Sequence, residues 1–228
     1  MGAKTGIEWT DASWNPWHGC HKISPGCKFC YMFREKERYG QDPNIVVRSK
    51  TMFRAPLKWM EPKLIFTCSW SDWFIEEADP WRQEAYDIIR QTPQHRYQIL
   101  TKRIDRAAGR LPNQLLPNLW LGVSAENREM YLRRVPILRQ MPSAIRFLSL
   151  EPLLEDLGTL NLSGISQIIV GSESGPGARP MSEDWVRSIR DQAVAAGVAF
   201  FYKQRLEGGR KISLPELDGI RWAQIPLP

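Results

Sequence analysis

The chain has 228 residues, a formal net charge of +6, four cysteines and ten tryptophans. Four cysteines are too few for a secreted disulfide scaffold. No run approaches the apolar length of a membrane span, and no basic segment followed by an apolar run marks a signal peptide, so a cytoplasmic protein with no membrane partner is expected. The length fits one domain with a substantial core.

Ile7 to Pro16 reads as a first strand, with Ile7 and Trp9 alternating against Glu8 and Thr10. It delivers the chain to Cys20, Cys27 and Cys30, spaced C-x6-C-x2-C, where Ser24-Pro25-Gly26 supplies a turn that folds the first cysteine back toward the pair. This is a metal-binding loop. Structural zinc would need a fourth ligand from His18, His21 or Cys68, whereas an iron–sulfur cubane on three cysteines leaves one iron open. Tyr31 to Tyr39 is helix-compatible and ends at Gly40. Gln41 to Pro62, with three prolines, reads as a loop with some helix.

A repeated unit follows, in which an apolar run and a polar residue or two precede a helical segment. The runs are 64–67, 98–101, 119–123, 146–150, 167–170 and 199–202, spaced as strands joined by crossover helices. Their near-continuous apolar character suits a parallel sheet buried on both faces. Asp79-Pro80 reads as N-cap and first residue of one helix, whose stripe is Trp81, Ala85, Ile88 and Ile89. Ser182 caps another, with Trp185, Ile189 and Ala193 buried and Gly197 at its end. The expectation is an α/β fold, a partial TIM-like (β/α) barrel of about six or seven parallel strands. It spans 1–205, with the cysteine loop at 18–31. The C-terminal tail, 206–228, packs on the barrel as a short hairpin or an irregular wrap, with turns at Gly208-Gly209 and Asp218-Gly219.

Barrel active sites lie at the C-terminal ends of the strands. The residues there are Cys68-Ser69-Trp70-Ser71-Asp72, Lys102-Arg103, Ser124-Ala125-Glu126-Asn127, Glu151-Pro152, Gly171-Ser172-Glu173 and Lys203-Gln204. Strand ends meet water and are ordinarily polar. With the first strand, which leads into the thiol loop, seven polar strand ends form a candidate site.

The aromatic Phe29 inside C-x-aromatic-C resembles the radical S-adenosylmethionine (SAM) superfamily, whose commonest first spacing is C-x3-C. Over nearly its whole length the chain also resembles a narrower group of small, often phage-encoded three-cysteine proteins. The matching segments include Ile7-Glu8-Trp9-Thr10-Asp11, Trp14-Asn15-Pro16, Gly19-Cys20, 25–31, 68–74, 100–103, 120–124, 149–154, Ala178-Arg179-Pro180-Met181 and Phe201-Tyr202-Lys203-Gln204. In 171–175, Ser172 stands where that group usually has a second glycine. The resemblance implies a 4Fe–4S cluster on Cys20, Cys27 and Cys30, with SAM as cofactor and its adenine near Phe29. It further implies Ser69 and Ser71 at the SAM amino group, Ser124, Glu126 and Asn127 at its carboxylate and ribose, and Gly171 beside the adenine. A flavodoxin-like or other low-potential donor would supply electrons, in the cytosol of a bacterium or a phage-infected host.

On that reading Cys68 returns a hydrogen atom to a product radical, or is simply a small buried hydrophobe. Asp72 and Glu173 bind or deprotonate a substrate ammonium, and Lys102, Arg103 and Lys203 grip a phosphate or carboxylate. Phage context, basic charge and tryptophans point to DNA or a modified nucleotide, for instance isomerisation of an amino-acid substituent on thymine. Three alternatives stand beside it. They are a radical lyase repairing a DNA lesion, a zinc-stabilised nucleic-acid-binding protein without catalysis, and a degenerate scaffold working with a partner.

Overall fold

A computed structural model describes residues 5–226; the outermost residues of both expected segments, 1–4 and 227–228, lie outside it. Eight strands form one sheet in chain order: β1 (Ala12–Trp14), β2 (Leu64–Thr67), β3 (Arg96–Thr101), β4 (Leu119–Ser124), β5 (Ile145–Leu150), β6 (Gln167–Gly171), β7 (Ala199–Glu207) and β8 (Arg210–Ser213). Neighbours β1 to β7 pair in parallel and β8 returns antiparallel to β7. The sheet curls into a half-barrel and stays open. The eighth strand comes from the C-terminal tail, which forms the short hairpin that its glycine pair allows. Gly208 and Gly209, both at positive φ, make its hairpin turn, and β7 continues across 205/206.

Helices α1 (Tyr31–Arg38), α2 (Asp79–Gln91), α3 (Arg128–Gln140) and α4 (Glu183–Ala195) follow β1, β2, β4 and β6. Their apolar stripes, including Ala85, Ile88 and Ile89 on α2 and Val186, Ile189 and Ala193 on α4, join Ile65, Ile99, Leu121, Leu148 and Phe200 in the outer core. Ser182 caps α4 through Oγ, which accepts from Asp184 N at 3.2 Å. At α2 the cap lies one residue earlier than expected, at Ala78. Asp79 is inside the helix because its carboxylate is drawn to Arg82 at 2.6 Å and Arg106 at 3.0 Å.

The inner face changes character along the strands. Near their N-terminal ends Phe66, Trp120, Phe147, Ile169 and Phe201 close around Trp9 in a second, smaller core. Gly122 makes room for it, since a Cβ there would stand 2.5 Å from the Phe147 ring. The first strand is accordingly shorter than expected. Ile7 to Trp9 turn across the bottom of the half-barrel, with Thr10 N donating to Ile7 O at 3.4 Å, and pairing begins at Ala12. One register step above the plug the inner positions become Ser124 and Ser149, so a cavity opens toward the strand ends.

Candidate functional site

A cavity of about 560 Å³ occupies the C-terminal mouth of the half-barrel, roofed by the cysteine loop. Cys20, Cys27 and Cys30 all line it, all are free thiols, and all are partly buried. Among the described residues no group of three or more His, Cys, Asp and Glu side chains converges on one metal-ion position.

The loop is built by its sequence and held by the strand ends. Pro25 to Cys27 forms one 3-10 turn, in which Cys27 N donates to Ser24 O at 2.9 Å. Gly19, at φ +101, passes so close to Ile45 that any side chain would collide with its carbonyl. Arg103 reaches from the end of β3 to place Nη1 3.6 Å from Cys20 Sγ and Nη2 2.9 Å from His21 O. Burial pushes the Cys20 thiol up to about 12, Asp72 adding to the rise and Arg103 opposing it. Gly26 N donates to Glu126 Oε1 at 3.0 Å, and Arg179 Nη2 donates to Pro25 O at 3.0 Å.

Several expected ligand contacts are occupied by the protein itself. Glu126 is fully buried and ion-paired with Arg134 at 2.9 Å; burial would raise its pKa, but Lys102, Arg134 and the loop hydrogen bonds hold it below the usual carboxylate range. Asn127 is off the cavity, where its Oδ1 caps α3 by accepting from Met130 N at 2.9 Å. Asp72 Oδ1 accepts from Thr101 Oγ1 at 2.6 Å and Phe74 N at 2.9 Å. Its Oδ2 accepts from Lys102 N at 2.8 Å and faces Arg103 at 3.4 Å. Glu173 is held by Arg179 at 2.5 Å, an attraction that outweighs burial and lowers its pKa. Gly171 is also off the cavity, packed under Gln204 and Glu151.

Asp72 and Glu173 line the cavity all the same, and further expected residues line it with them. Ser69 Oγ exchanges hydrogen bonds with Asn15, and Ser71 Oγ donates to Gly19 O at 2.6 Å. Ser124 Oγ accepts from Lys102 Nζ at 3.1 Å. Lys203 Nζ lies 2.5 Å from Glu151 Oε1. Cys68 is buried at the cavity wall with φ +58, and desolvation raises its thiol well above the ordinary value. Phe29 covers Gly177, where a Cβ would meet its ring at 3.2 Å, and Arg179 sits over the ring at 5.6 Å. Of the loop histidines, His21 Nε2 is 2.5 Å from Glu77, while the Nδ1 of His18 is buried without a partner.

Sequence reasoning missed four contributors. Arg134 stood in the stripe Met130, Tyr131, Arg134, Val135 and Leu138, and a charge in a buried stripe signals a buried counter-ion. Arg179 was seen only as part of a motif. Tyr31, whose hydroxyl donates to Ser69 O at 2.5 Å, follows Cys30 directly, and Ser149, like Arg179, stood only inside a matching segment.

Fold and site together define an open, mostly parallel α/β half-barrel with a three-thiol loop over a strand-end cavity. The chain belongs to the family described as Protein of unknown function (DUF5131), whose model matches residues 4–226. This corrects the resemblance drawn from the cysteine motif, because the matching family is that one and not the radical SAM superfamily. No curated protein and no solved structure matches the chain. No helix among the described residues is long and apolar enough to cross a membrane.

Proposed function

We propose that Cys20, Cys27 and Cys30 hold a 4Fe–4S cluster at the roof of the cavity, and that the protein uses it with SAM to modify a nucleobase or its substituent, in DNA or as a nucleotide. The observation that carries this reading is the placement of three free thiols on one cavity at the C-terminal ends of parallel strands. The donor set fits. A cubane takes one thiolate per iron, which suits thiols spread along a wall, whereas a lone ion draws every ligand to one centre. When bound, the cluster would supply the electron that cleaves SAM and starts radical chemistry.

The chain's own residues would bind, orient and shield. The Trp9 plug closes the bottom of the chamber against water, and Phe29, backed by Gly177 and Arg179, offers a flat apolar wall near the last thiol. Ser69, Ser71 and Ser124 present hydroxyls, although each is already engaged with the protein. Burial disfavours the thiolate, so Cys68 keeps its proton on Sγ, and the neutral thiol is the form a hydrogen-atom donor needs. Asp72 and Glu126, expected to meet ligand, instead fix Arg103, Lys102 and the loop. The finer description of the sheet as a partial TIM-like barrel belongs with this reading, since it is the strand-end location that such enzymes share.

The test is anaerobic purification with iron, sulfide and zinc analysis, followed by incubation with dithionite and SAM. About four irons per chain and formation of 5′-deoxyadenosine support the reading. One tightly held zinc, with no SAM cleavage after iron–sulfide reconstitution, would replace it with the zinc-stabilised binding protein.

A further inference from the structure

The lysines and arginines that line the cavity are nearly all neutralised by a carboxylate. Arg103 faces Asp72 at 3.4 Å, Lys203 faces Glu151 at 2.5 Å and Lys211 faces Glu8 at 3.1 Å. Lys102 differs: its ammonium donates to Ser124 Oγ at 3.1 Å, and among the described residues no carboxylate lies in contact with it. Glu126, whose carboxylate feels its charge, is already bonded to Arg134 and Gly26 N.

Ser124 is the register partner of Ser149 on the neighbouring strand, so both hydroxyls share the inner face, and each residue is 2% exposed. The Ser149 hydroxyl faces the cavity, and no side-chain hydrogen bond ties it to the described residues. Further round the wall, Ser172 Oγ is buried without a partner. An ammonium with no carboxylate in contact, beside hydroxyls that face the cavity, is a donor set that a ligand's oxygens can complete.

We propose that Lys102, Ser124 and Ser149 form a carboxylate-binding subsite at the bottom of the cavity, taking a carboxylate carried by the substrate. One ammonium matches one negative charge, so a monoanion is compensated there while a phosphate dianion is not. Two carboxylate oxygens can accept from the ammonium and the Ser149 hydroxyl together. The subsite stands directly above the aromatic plug, with Trp9, Phe66 and Leu100 lining the same cavity and able to cover an attached ring. The inference rests on reading this cavity as the substrate chamber, and it narrows the substrate to a carboxylated one.

The experiment uses the protein as purified, before iron is supplied, so that the cluster reading is not tested with it. Calorimetric titrations compare benzoate with benzamide, and 5-carboxyuridine with its carboxamide, on wild type, Lys102→Met, Lys102→Arg and Ser149→Ala. SAM is titrated alongside. Wild type is expected to prefer each acid over its amide by roughly tenfold or more. Lys102→Met loses that preference, Ser149→Ala weakens it and Lys102→Arg keeps part of it, while iron uptake by Ser149→Ala and Lys102→Arg on later reconstitution stays unchanged. Equal binding of acid and amide by wild type overturns the subsite, as does a preference that survives Lys102→Met. A Lys102→Met effect confined to SAM overturns its assignment to the substrate. If Lys102→Met does not fold, Ser149→Ala and Lys102→Arg decide by the same ratio. A benzoate preference without binding of 5-carboxyuridine supports the subsite and counts against the nucleobase reading.

Discussion

Arg103 is the residue through which the barrel reaches the first cysteine, and its contacts make opposing demands. Its guanidinium stands 3.6 Å from Cys20 Sγ while Asp72 and His21 O fix its direction. Replacing it with Met removes the cationic influence that opposes the rise of the Cys20 pKa, so the thiol titrates still higher. In metal-free wild type, Cys20 alkylation should still be climbing at about pH 10, well past an ordinary thiol near ~8.5. Arg103→Met should be slower at every pH in that range and take up less iron, as read by mass spectrometry of the labelled peptide and by iron analysis. Cys68 asks a different question. Cys68→Ala should leave iron content unchanged and alter the product distribution, whereas identical products would make Sγ a packing group only. Gly122 belongs to the plug, and Gly122→Ala would press a methyl into the Phe147 ring. A loss of about 1–3 kcal/mol in urea unfolding is expected, with the cysteine loop's iron uptake preserved in the folded fraction.

At the scale of elements, the cysteine loop is clamped from strand ends far away in sequence. Glu126 ties it to α3 through Arg134, both side chains nearly inaccessible to water. Removing one partner strands the other, so Glu126→Ala should cost about 3–5 kcal/mol, and the double replacement of Glu126 and Arg134 by Met should recover much of it. The acid response follows from the sign of the shift. The folded-state pKa of Glu126 lies below its unfolded value, so its stabilisation is fully present above about 4.5 and is lost as pH falls through the folded value. Glu126→Gln should flatten that part of the stability-versus-pH curve, as measured by urea midpoints; an unchanged acid limb would deny Glu126 its role. These long-range clamps explain what the sequence could and could not reveal. The strands were readable because 64–67, 119–123 and 167–170 are buried on both faces, and α4 because Ser182 and Gly197 punctuate it. The roles of Glu126, Asp72 and Asn127 were not. A carboxylate at a strand end looks the same whether it awaits a ligand or holds Gly26 a hundred residues away. Ile7 to Trp9 misled for a related reason, since alternation suits a strand and also a turn laid across an aromatic plug.

For the whole molecule the question is whether its surplus charge serves a polymer. The formal charge of +6 is shared with many folded enzymes, and several surface arginines are already engaged: Arg48 and Arg54 with Glu84, Arg187 and Arg190 with Asp218, Arg205 with Glu183. Such exposed pairs contribute little stability and exchange readily for phosphate, so they lower the contact energy of a nucleic acid without forbidding it. A chain that grips single-stranded DNA through three or more phosphates releases counterions in proportion, and affinity falls with a log–log slope of about −0.7 per phosphate. Between about 50 and 200 mM salt the loss should therefore be roughly tenfold or more for the polymer, and far smaller for a single nucleotide entering the cavity. Fluorescence anisotropy of a labelled oligonucleotide across that range separates the cases. A steep slope places the substrate base in a strand held against the cavity mouth. A flat response, alongside cavity binding of a nucleoside, would confine the proposed chemistry to free nucleotides and leave the positive charge to solubility.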